Sequence, residues 1–141
     1  MYEKYSRQAL PSKEYRALLG SAICVFNSNN SFVIENILRC DGDEKYNWYE
    51  LIDKVSGRLS DPIKETITRH SDDTIANLFS NLVNMRNRIV HSFQITAETG
   101  EQMLATKTKT GQQFRINENY LFDFIKKNEE LSVLLHNFRG Y

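Results

Sequence analysis

The chain has 141 residues, and its 18 Lys plus Arg balance 18 Asp plus Glu, so the formal net charge is zero. At ~100–200 residues per domain this length predicts one domain over 1–141. The charge balance excludes a broadly basic nucleic-acid-coating protein and an acidic tail. An apolar share of 40%, with eight Phe and seven Tyr, excludes the disordered class, and two Pro and six Gly leave little material for linkers.

The compartment is read from what the sequence lacks. The longest apolar run, Ala22 to Phe26, is far shorter than the ~20 residues of a membrane span. The first residues, Met1 to Arg7, lack the apolar block of a secretory signal. Cys24 and Cys40 have no CxxC spacing, which fits a reducing compartment. A cytoplasmic protein with no membrane partner is expected.

In chain order, Tyr15, Leu18, Leu19, Ala22, Ile23 and Phe26 recur at helical spacing, with Ser12 as N-cap. The Asn-Ser cluster from Asn27 to Ser31 predicts a break, followed by a short helix over Phe32 to Arg39. After the turn Asp41-Gly42-Asp43, the residues Trp48, Leu51, Ile52, Val55 and Leu59 mark a third helix, with Trp48 in the core. Asp61-Pro62 reads as N-cap plus N1 proline of a short helix through Ile63 and Ile67. Ser71, Asp72 and Asp73 then cap a helix with Ile75, Leu78, Phe79, Leu82, Val83, Arg86, Ile89 and Val90.

Beyond His91 the period changes. Phe93, Ile95 and Ala97 alternate, Gly100 turns the chain, Met103 to Lys109 reads as a Thr-rich strand, and Phe114 with Ile116 adds a third. Asn117 caps a long final helix carrying Tyr120, Leu121, Phe124, Ile125, Leu131, Leu134, Leu135 and Phe138 inward. The fold expected is mainly α: an antiparallel helical bundle with a small β-hairpin or meander, about 93–116, inserted before the C-terminal helix.

No Walker-type phosphate loop, dinucleotide fingerprint, serine elbow or zincin motif is present, and the three His are far apart, so no metal or cofactor is expected. What remains is Arg86-Asn87-x-x-x-His91. At about 100° per residue, Arg86 falls inside the apolar stripe of its helix, about 40° from Leu82. A guanidinium there needs an anion, a carbonyl or a partner subunit. His91 points about 140° away from Arg86, while Asn87, at i−4 from His91, is placed to hydrogen-bond the imidazole. One helix therefore does not aim both groups at one point. Either the helix ends early and the histidine swings round, or two copies of the segment meet.

An Arg and a His at such spacing arise by chance about 0.6 times in a chain of this composition; requiring Asn beside the Arg lowers this to about 0.05. This segment resembles the Rx4–6H signature of the HEPN superfamily, in which a polar residue, often Asn, follows the Arg. The likeness is close over the motif and architectural elsewhere. It implies a small helical bundle and, in many members, a metal-independent ribonuclease acting as a toxin or phage-defence effector. Their active site is built from both motifs of a homodimer. His91 would exchange protons with the ribose 2′-OH and the leaving 5′-oxygen, Arg86 would hold the phosphate, and Asn87 would orient or donate. Arg88, Lys107 and Lys109 are candidate RNA-binding residues. An antitoxin or regulatory partner is also implied. Some members carry Tyr two residues after the His as a site of modification; here that position is Phe93, which has no hydroxyl.

Each residue also has a structural reading. Arg86 would pair in the core, His91 would complement a helix C-terminus, and Arg88, Lys107 and Lys109 would be solvated charges. The alternative function is a non-catalytic helical module, binding a nucleotide or a partner through the same face.

Overall fold

The computed structural model describes residues 1–140. The first helix, α1, runs unbroken over Lys13–Arg39, with the Ser12 side chain accepting from the Tyr15 N–H at its start. The expected break at Asn27 to Ser31 does not occur, because these polar side chains find partners outside their own backbone. Asn29 is buried and donates to the carbonyl (2.7 Å) and side-chain oxygen (3.0 Å) of Asn128, and Asn30 accepts from the Ser56 hydroxyl. Tertiary partners thus override the local competition that makes Asn and Ser helix breakers. By length and composition this uninterrupted helix is apolar enough to cross a membrane; here one face of it forms the centre of the bundle.

The third expected helix is shorter than its pattern. Helix α2 covers Trp48–Asp53 and buries only Leu51, while a 3₁₀ turn, Ser56–Leu59, brings in Leu59. Trp48, read as core, is exposed, as are Tyr49, Ile52 and Val55, because two turns of helix present a single inward position. Helix α3, Ser60–Ile63, passes into a π turn over Lys64–Thr68; the Thr66 hydroxyl donates to the Pro62 carbonyl there, and Asp61 makes no side-chain cap. Asp72 accepts from the Thr74 N–H at the start of α4, Thr74–Val90, and this hydrogen bond holds its carboxyl below the usual range.

Strands β1 (Phe93–Thr96), β2 (Gln102–Lys107) and β3 (Gln113–Ile116) form an antiparallel meander in that order. Helix α5, Glu118–Arg139, follows, capped by Asn117 accepting from the Tyr120 N–H and closed by Gly140 in the left-handed region at φ 96°. The mainly helical fold with its small sheet before the last helix is as the sequence predicts.

Three aromatic rings lock the helices together. Phe26 of α1 stacks between Phe79 of α4 and Phe124 of α5, each centroid 6.0 Å away. The pairs Tyr15–Ile116, Asn29–Asn128 and Glu35–Arg139 ascend both sequences together, so α1 and α5 run in the same direction. Tyr120 lies level with Met85, and Phe124, further along α5, lies level with Phe79, earlier in α4, so α4 runs against them. The end of α4 therefore arrives beside the starts of α1 and α5, where the sheet also sits.

Candidate active site

Arg86 is half-buried in the apolar stripe, as its helical position predicts, but what it meets there is a ring. Its guanidinium carbon lies 5.1 Å from the centroid of Phe26. No carboxylate, carbonyl or hydroxyl pairs with it; its buried Nε has no hydrogen-bond partner among the described residues. Burial pushes the guanidinium pKa below its ordinary value, so the fold disfavours the charge it holds.

His91 is the C-cap residue of α4, and its backbone N–H still bonds the Asn87 carbonyl at 2.9 Å. The helix thus stays regular through Val90. His91 is exposed, and its imidazole carries no hydrogen bond among the described residues. The rotation of about 140° from Arg86 stands, so a single chain does not converge the two groups. The expected Asn87–imidazole hydrogen bond is also not formed. The backbone carbonyl of Asn87 serves the helix end, and its half-buried side chain makes no hydrogen bond among the described residues.

Arg88 has a structural task as well as its charge: its guanidinium donates to the Lys107 carbonyl and ties the end of α4 to the end of β2. Lys107 and Lys109 were expected along one strand. Instead β2 ends at Lys107, and Lys109 lies in the turn closed by the Thr108 N–H to Gln112 carbonyl bond, with Gly111 at φ 89°. Both residues are exposed but do not share a strand face.

Two further residues border this region. Tyr120 donates to the Met85 carbonyl at 3.2 Å, and burial, partly offset by Arg88, pushes its phenol up to about 12. Arg115 of β3 is gripped by Glu98 through both of its terminal nitrogens, which brings that carboxyl down to about 2. Neither stands out in sequence, where Tyr120 is one more member of a helical apolar stripe and Arg115 one residue of a strand. Compared with protein-family models, with curated proteins and with solved structures, the chain matches none of them.

Proposed function

We propose that the chain is a metal-independent endoribonuclease of HEPN type, working in the cytoplasm as a toxin or phage-defence effector. Its active site would be assembled from the α4 ends of two copies. The observation that carries this reading is that, among the described residues, neither the buried Nε of Arg86 nor the imidazole of His91, five residues apart at one helix end, has a polar partner. The buried Nε of this half-buried guanidinium costs stability while it has no partner, and an incoming phosphate would relieve it. The separation of the two groups around α4 gives dimerisation its role: each copy supplies what the other's site lacks.

In the reaction, an imidazole of His91 takes the 2′-OH proton while the 2′-oxygen attacks phosphorus. The bond to the 5′-oxygen breaks, and a proton is returned to that oxygen. Arg86 holds the phosphate and stabilises the charge that builds on it in the transition state. The products are a 2′,3′-cyclic phosphate and a 5′-OH, and DNA is refused because it has no 2′-OH.

The test is incubation of the protein with structured and single-stranded RNA in excess EDTA, beside a folded His91→Ala variant. Cleavage by wild type alone, leaving cyclic-phosphate ends, is expected. Equal cleavage by both would remove His91 from the mechanism. Inactivity of wild type would favour the non-catalytic module, in which the Arg86–Phe26 contact is simply part of the bundle.

A further inference from the structure

We propose that the outward face of the three-stranded sheet is a stacking platform for single-stranded RNA, which passes the strand to His91; this rests on the ribonuclease reading. Strand β1 begins two residues beyond His91, so whatever lies along it is led directly to the imidazole. The register places Phe93, Ala105 and Arg115 in one row across all three strands, with Lys107 in the next row opposite Gln113. Alternate residues share a sheet face, so Phe93, Ile95, Met103, Ala105, Lys107, Gln113 and Arg115 lie on the same side. On the other side Leu104, Phe114 and Ile116 pack against the helical core and Thr106 is fully buried. The first side is the more open of the two: Phe93 is 44% exposed on it, and Lys107 and Arg115 are exposed. Ala105 is buried among its neighbours, and Met103, at one end, packs against the core.

The chemistry of this face selects its occupant. No acidic residue stands in any of the three strands, whereas Lys107 and Arg115 stand together on the open side. The acids of the insertion, Glu98 and Glu101, lie in the β1–β2 turn, and Glu98 fixes the Arg115 guanidinium from there. Ala105, between Phe93 and Arg115, adds no bulk beyond its methyl. A nucleobase can thus lie on the phenyl ring with its phosphate toward the exposed Lys107, while Arg115 stays held by Glu98. Among the described residues of the sheet Phe93 is the one exposed large apolar side chain, too little for the dry centre of a protein interface. In a chain of zero net charge, affinity for RNA must come from stacking more than from an extended basic surface.

The experiment measures fluorescence anisotropy of a labelled single-stranded RNA and of its duplex with the full chain, beside cleavage of the same RNAs. Wild type should prefer the single strand, with a shallow salt dependence. Phe93→Ala and Phe93→Leu should each weaken binding about tenfold and raise KM for the single strand; Phe93→Tyr should restore binding. Phe93→Leu keeps the apolar bulk and guards against a fold defect. Equal binding by Phe93→Leu and wild type, or no single-strand binding by wild type, would overturn the platform. So would loss of binding that tracks conversion of a dimer to monomers in sedimentation, since Phe93 would then be covered by a second copy. His91-dependent cleavage with Phe93-independent binding rejects the platform and keeps the ribonuclease. Phe93-dependent binding without cleavage does the reverse.

Discussion

Arg86 is subject to two opposed energies. Its position over the Phe26 ring contributes about 0.5–1 kcal/mol, whereas a buried polar atom left without a partner costs about 1–3 kcal/mol. The second is larger, so the residue is a net burden to the folded chain. Arg86→Met keeps the length of the side chain and a favourable sulfur–ring contact while removing the charge. It should raise the urea midpoint, by the equivalent of about 1 kcal/mol, and abolish RNA cleavage. A lowered midpoint would mean that the ring contact dominates and that Arg86 is a bundle residue. Helical geometry alone placed Arg86 in the apolar stripe. Its partner was not legible, because Phe26 comes from a helix near the other end of the chain. The bond from Arg88 to Lys107 was not legible for a related reason: the carbonyl it holds belongs to a strand whose end could not be fixed from a Thr-Lys run.

Among the elements, α4, α5 and the three strands follow their hydrophobic periods closely, and the caps Ser12 and Asn117 act where the sequence places them. The misread element is α1, where polar residues that favour a break locally are instead the cross-links to another helix. Asn29→Ala tests this. It removes two hydrogen bonds and leaves the Asn128 side-chain oxygen buried without its donor, at about 1–3 kcal/mol. Alanine's better helix propensity returns about 0.5 kcal/mol. The net loss, about 1–2 kcal/mol, should appear as a lower urea midpoint with an unchanged slope. A neutral result would show that α1 is continuous without Asn128. The exposure of Trp48 has the converse lesson: an apolar period over five positions implies burial only when the helix is long enough to present them all.

For the molecule as a whole, Tyr120 fastens α5 to α4 through the Met85 carbonyl while its ring leans on Phe114. Its phenol, pushed up to about 12, stays neutral in the fold at pH values where an unfolded tyrosine, with a pKa near 10, has lost its proton. The stabilisation is therefore complete below about pH 10 and is lost as the pH rises toward 12. Buried Tyr15 is shifted upward as well and adds to the same slope. Tyr120→Phe should cost about 1 kcal/mol at neutral pH and flatten, without abolishing, the fall in unfolding midpoint between about pH 10 and 12. An unchanged slope would place the alkaline sensitivity elsewhere.

The parallel pairing of α1 with α5 also fixes an order of events on the ribosome. Asn29 and Asn128 are 99 positions apart, so at ~5–20 residues per second about 5–20 seconds pass between making one and making the other. Throughout that interval the most apolar helix of the chain has emerged without the surface that covers it. The nascent polypeptide is thus a client for holding factors long before it is a protein. A message cut short before Glu118 yields a fragment with an uncovered greasy helix and no route to the native state, rather than a smaller working domain.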